Sequence, residues 1–159
     1  MNKMNILIVD NEAPIRTALR KMILHFMDAH IEEANGVSEG LEKIKSFEPH
    51  ILFLDVEMED GTGFDLLKAL DELNFELVFT TAHNQYAIEA FEFSALNYIL
   101  KPVSPSSLQK TLLKAQANIK QKNVQEQLNI LLSQINQKID PEQKIALKDA
   151  NGTYFIKIK

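Results

Sequence analysis

Ile51-Leu52-Phe53-Leu54-Asp55 is four consecutive apolar residues stopped by a carboxylate, and together with the residues after it this stretch decides the fold. A short unbroken apolar run fits a strand buried on both faces, the kind a parallel sheet contains. Next comes a Gly61-Thr62-Gly63 loop, then Phe64 to Leu73, where Leu66, Leu67 and Leu70 share one side of a helix. The same strand–loop–helix unit recurs in both directions. Upstream, Asn5 to Val9 is a strand ending at Asp10, and a helix is expected over Ala13 to Met27, with Pro14 early, where a missing N–H does no harm. His30 to Ala34, the Asn35-Gly36 turn and a helix over Ser38 to Phe47 make the second unit, closed by Pro49. Downstream, a strand over Glu76 to Thr80 precedes a helix over about Asn84 to Phe91. A strand over Ala95 to Leu100 then precedes Lys101-Pro102 and a helix starting near Ser104 to Ser107. Five such alternations predict an α/β fold: a doubly wound parallel sheet with right-handed crossovers.

The length of 159 residues accommodates one domain and an extension. A net charge of −5 argues against nucleic-acid binding by this piece as a whole, because phosphate-binding surfaces are normally basic. Cysteine is absent, which excludes disulfides, thiolate metal sites and cysteine nucleophiles. No apolar stretch approaches the roughly 20 residues of a membrane helix. Only Lys3 precedes the first apolar run, and no small-residue cleavage site comes after it, so a soluble chain without a secretory signal is expected.

In open α/β sheets, sites form at the C-terminal ends of the strands. Here strands one, three, four and five end at Asp10, Asp55, Thr81 and Lys101, so two carboxylates, a hydroxyl and an ammonium converge at one edge. Two neighbouring carboxylates raise one another's pKa unless a cation compensates. Hard oxygen ligands suit Mg²⁺, which takes one or two carboxylates together with phosphate oxygens. A carboxylate nucleophile then accepts a phosphoryl group, while the metal and a lysine neutralise the transferred oxygens. Each residue also has a plain structural reading. A strand-end aspartate caps the next helix, Thr81 satisfies a turn, Lys101 is a solvated charge before Pro102, and Tyr98 is core. Singly, Thr81 and Tyr98 favour the plain reading; the whole set in this order favours the site.

On these residues the chain resembles the receiver domains of bacterial two-component response regulators, over about residues 4 to 118. The matching segments are Ile6 to Glu12, Leu54 to Met58 with Gly63, Thr80-Thr81-Ala82, and Tyr98 to Pro102. The resemblance implies a flavodoxin-like (βα)5 fold, a cytoplasmic protein, and a switch rather than an enzyme. It implies that Asp55 accepts phosphate from a sensor histidine kinase and that Lys101 contacts the phosphoryl group. Asp10 and Asp55 would help hold Mg²⁺, with the main-chain carbonyl of Glu57 as a neutral ligand. Thr81 and Tyr98 match the switch pair, the hydroxyl turning to the phosphoryl group and the ring moving inward behind it. The sequence departs from the family at Asn11, where a second acid is usual, so Mg²⁺ would meet one negative charge fewer. The usual proline after Met58 is Glu59, which alters the rigidity and local charge of that loop.

Thr81 through Ala90, Phe91 and Tyr98 to Lys101-Pro102 looks most like receivers attached to LytTR-type DNA-binding domains. Three regions are expected: a receiver over 1–120, a helical linker over 121–140, and over 141–159 the start of a LytTR-type domain, cut off before the rest. In the last, Lys144 to Lys148 and Thr153 to Lys157 alternate about Asn151-Gly152, a hairpin signal. A small β-ribbon tail is the alternative. Leu108, Leu112, Ala115 and Ile119 are spaced 4-3-4, and Val124, Leu128, Leu131 and Ile135 repeat that spacing. The first set packs on the sheet. Beyond Gln121 no sheet remains to cover the seam, so a coiled-coil homodimer is expected, with DNA contacted only through the C-terminal domain.

Competing readings have weaker support. A haloacid-dehalogenase phosphatase needs a second aspartate two residues after the nucleophile, where this chain has Glu57; a nucleotide-binding fold needs a glycine-rich loop after the first strand. A pseudo-receiver, an unphosphorylated interaction module, draws some weight from Asn11.

Overall fold

The computed structural model describes residues 3–138. Five parallel strands form its sheet: β1 (Met4–Val9), β2 (Ala29–Ala34), β3 (Ile51–Asp55), β6 (Glu76–Thr81) and β7 (Asn97–Leu100), in the order β2-β1-β3-β6-β7. Between them run α1 (Ala13–Phe26), α2 (Val37–Phe47), α3 (Gly63–Lys68) and α4 (Ala87–Glu92), and α5 (Pro105–Lys138) comes after the last strand. A two-residue antiparallel pair, β4 (Glu57–Met58) with β5 (Gly61–Thr62), fills the loop after β3. This is the expected doubly wound fold, with a C-terminal helix.

The central strands are apolar without interruption because both faces of the sheet are covered. Leu7, Val9, Leu52, Leu54, Leu77 and Phe79 belong to one buried cluster with Phe64, Leu66, Leu67 and Ala90. Ile6, Ile8, Ile51, Phe53 and Val78 are equally buried and, by strand alternation, face the other way. Leu108, Leu112 and Ala115 on the first turns of α5 are buried as their spacing predicts.

Several boundaries differ from the sequence expectation. The third helix ends at Lys68 rather than Leu73: its last turn tightens, with Leu70 N–H donating to the Leu67 carbonyl. Leu70 and Leu73 still pack against the core from non-helical backbone, which is why their apolar spacing reads as helix. The fourth helix starts at Ala87 rather than Asn84, and the last strand at Asn97 rather than Ala95. The glycine-bearing loop after Asp55 holds the small β4–β5 pair, which its sequence does not suggest.

Two helix starts show how the chain builds these loops. Thr62 caps α3 in a reciprocal box, its hydroxyl accepting from Asp65 N–H and the Asp65 carboxylate accepting from Thr62 N–H. At α2 the capping position is Gly36, which has no side chain; Asp60, from the β4–β5 turn, supplies the acceptor instead. Its carboxylate takes the N–H groups of Val37 (2.8 Å) and Ser38 (3.1 Å), which holds its carboxyl below the usual carboxylate range.

The chain divides into two compact units, 1–117 and 118–159. In the second, α5 carries Val124, Leu128, Leu131 and Ile135 with 40–57% of their surface exposed. The expected hairpin of Lys144–Lys148 and Thr153–Lys157, and with it the 141–159 region, lies outside the described residues. Among the described residues no helix is long and apolar enough to cross a membrane.

Candidate functional site

Asp10, immediately after β1, Asp55, the last residue of β3, and Lys101, just past β7, are brought together at the C-terminal edge of the sheet. Lys101 Nζ lies 2.7 Å from Asp10 Oδ2 and 3.3 Å from Asp55 Oδ2. The backbone fixes each partner. Asp10 N–H extends the β1–β2 ladder by donating to Ala34, and Lys101 N–H donates to the Thr81 carbonyl at 2.8 Å, ahead of a cis peptide to Pro102. Asp10 Oδ1 accepts the Glu12 N–H, so one carboxylate oxygen holds its loop and the other meets the lysine. Gly63 lies so close to β3 that a Cβ there would sit 2.5 Å from the Asp55 carbonyl oxygen.

Asp10 and Asp55 are both nearly inaccessible, at 1% and 5% exposed, and share one ammonium. Burial, then the Asp10 charge, raise the Asp55 carboxyl from 3.8 to about 6, with Lys101 opposing. Burial pulls the Lys101 ammonium down, but its two carboxylate partners outweigh that and leave it raised. The cluster therefore carries excess negative charge in a dry position, an arrangement that draws a further cation. Among the described residues no three Asp, Glu or His side chains gather as a metal cage. Two carboxylates side by side are the oxygen donors that a hard divalent ion takes while keeping water and binding phosphate, so these residues fit Mg²⁺.

The remaining expected residues surround this trio. Thr81 is fully buried at the end of β6, and its hydroxyl accepts the His83 N–H at 3.2 Å. The half-buried Tyr98 ring packs against the core cluster with its hydroxyl donating to the His83 carbonyl, and burial raises its pKa. The ring thus already lies inward. Asn11 is half-buried in the loop directly after Asp10. Glu57 begins β4, two residues past Asp55, and its N–H donates to the Asp55 carboxylate.

Sequence reasoning missed a layer behind these groups. Arg16, on α1, donates from Nη1 to the Asp10 carbonyl (2.5 Å) and from Nε to Glu33 on β2 (2.9 Å), which steadies the first carboxylate. The Glu57 carboxylate reaches the β6–α4 loop, meeting Tyr86 Oη at 2.6 Å and His83 Nε2 at 3.0 Å. No spacing rule links such positions, since the contacts depend on two loops meeting.

The family model for the response regulator receiver domain matches residues 6–113. The sensory transduction protein LytT of Enterococcus faecalis is 38% identical over 115 residues, 70% of this chain and 48% of that protein. The transcriptional regulatory protein BtsR of Escherichia coli is 34% identical over 145 residues, 90% of this chain and 55% of that protein. This chain therefore spans about half the length of the curated relatives it matches. Among solved structures, the REC domain of AraT, a response regulator from Geobacillus stearothermophilus, is 29% identical, with a TM-score of 0.69 over 77% of this chain and 99% of that one.

Proposed function

Since this chain belongs to the response regulator receiver domain family and carries the receiver of a two-component regulator homologous to LytT, we propose that Asp55 is its phosphoryl acceptor. A carboxylate oxygen of Asp55 attacks phosphorus on a sensor kinase's phosphohistidine. The new P–O bond forms as the P–N bond breaks, its electron pair passing to the imidazole nitrogen. The observation that carries this reading is the buried Asp10–Lys101–Asp55 cluster at the strand ends, with Lys101 placed to meet phosphoryl oxygens. Asp10, Asp55, Asn11 and the Glu57 carbonyl would hold Mg²⁺, which when bound neutralises charge on the phosphoryl oxygens. The hydrogen bonds at the Asp10 backbone and Oδ1, and the ladder bond from Lys101 N–H to Thr81, support these roles by fixing where the two side chains start.

The products of this step are signals rather than metabolites. An aspartyl phosphate offers oxygens to Lys101 and to the Thr81 hydroxyl, which would leave His83 to reach them. The exposed seam of Val124, Leu128, Leu131 and Ile135 supports a homodimer joined through α5, in a cytoplasmic regulator whose DNA contacts come from a LytTR-type domain beyond the receiver. The region boundaries 1–120, 121–140 and 141–159 belong to this proposal. Intact mass with acetyl phosphate and Mg²⁺ tests the acceptor. One added phosphoryl group is expected on the wild type and none on Asp55→Ala; a variant that still gains one refutes the assignment. Asn11 favours a second reading, the unphosphorylated interaction module, which predicts no added mass on either protein.

A further inference from the structure

Both switch residues are attached to one residue, and that residue is attached to the far side of the site. The His83 N–H goes to the Thr81 hydroxyl and the His83 carbonyl takes the Tyr98 hydroxyl. The His83 imidazole lies 3.0 Å from Glu57 Oε1, while Glu57 Oε2 accepts from Tyr86, three residues further along the same loop. Both oxygens of one carboxylate, carried on β4, thus hold the β6–α4 loop at two points. The rings of His83 and Tyr86 meet edge-on with centroids 6.3 Å apart, and Tyr86 also faces Phe64 at 6.1 Å, which joins the clamp to the core.

We infer that Glu57 is a positioning residue: its side chain clamps the His83–Tyr86 segment and so holds the Tyr98 ring inward before any phosphoryl group arrives. This rests on the phosphoacceptor reading above and deepens it. The backbone of His83 sets where the Tyr98 acceptor lies, so anything that fixes His83 biases the ring. Glu57 is half exposed, so each contact is worth little, and loss of one changes a population by up to about fivefold. A bias of that size is enough to tune a two-state element without locking it. It also implies that phosphorylation shifts this receiver less than it would one whose ring starts outside.

The chain has three tyrosines and no tryptophan, so fluorine NMR of protein labelled with 3-fluorotyrosine resolves Tyr98, assigned by Tyr98→Phe. Without a phosphate mimic, the wild-type Tyr98 signal is expected near its position in beryllofluoride. In Glu57→Ala it moves toward the value of solvent-exposed fluorotyrosine, Tyr86→Phe moves it part of the way, and beryllofluoride restores it in both. Thermal midpoints recorded alongside separate this from loss of structure: a purely structural role lowers the midpoint and leaves the folded-state signal in place. A Tyr98 signal unmoved in Glu57→Ala and Tyr86→Phe overturns the clamp. The phosphoacceptor reading is judged separately, by the intact mass of the wild type and Asp55→Ala after acetyl phosphate and Mg²⁺, which does not depend on where the Tyr98 ring lies.

Discussion

Replacing Asp55 with asparagine should stabilise the protein at neutral pH and leave it almost unchanged in acid. The side chain keeps its shape and loses only the charge that the site holds at a cost. The Asp55 carboxyl is raised from 3.8 to about 6, chiefly by burial and then by Asp10. A gap of about two units corresponds to at most about 3 kcal/mol, and relaxation of the surrounding groups around the charge reduces this to roughly 1–2 kcal/mol. Proton binding sets the sign. Above about pH 6 the group is ionised in both the folded and unfolded chains, and the folded one bears the full cost. Between there and 3.8 only the folded carboxyl takes up its proton, so the wild type recovers stability as pH falls. Below 3.8 both are protonated and the difference is gone. Urea unfolding monitored by circular dichroism, without divalent metal, should show Asp55→Asn ahead at about pH 7.5 and level at about pH 3.5. An equal gain at both values, or a loss at neutral pH, would refute the electrostatic account of the site.

Gly63→Ala would place a Cβ 2.5 Å from the Asp55 carbonyl oxygen and 3.0 Å from Leu54 Cγ. Because backbone must move, a loss of about 1–3 kcal/mol in urea unfolding is expected, together with slower labelling by acetyl phosphate as Asp55 is displaced; unchanged values for both would mean the contact relaxes freely. Asn11→Asp should tighten Mg²⁺ binding by adding a charge to the site, measured by calorimetric titration, and weaker binding would remove Asn11 from the ligand set. Changing Val124, Leu128 and Leu131 together to polar residues should leave a monomer by light scattering where the unmodified chain is dimeric. A dimer that survives all three places the interface elsewhere.

Much of the fold is legible in the sequence because burial on both faces leaves a simple mark. Ile51 to Leu54 and Ile6 to Val9 are apolar without a break, and each stops at a carboxylate that the sheet must place at its edge. The trio Asp10, Asp55 and Lys101 comes from strand ends alone. Pattern fails where side chains reach the core from irregular backbone: Leu70 and Leu73 extend the helical spacing of α3 past its end. It fails again at Glu57, where the resemblance points to a carbonyl and the carboxylate meets His83 and Tyr86 across two loops. Such contacts depend on loop shape, which neighbours in space determine and neighbours in sequence do not.

The borrowed cap at α2 has a consequence for how the molecule breathes. A helix that carried its own serine or aspartate would keep its first turn closed whatever its surroundings did. Here the amide protons of Val37 and Ser38 are covered only while Asp60 stays in place, and Asp60 stands five residues beyond Asp55, in the turn that leads from it. An opening of that turn uncovers two amides on a different helix. Their exchange with deuterated solvent would therefore time the fluctuations of the loop after Asp55 from a vantage point on a separate helix.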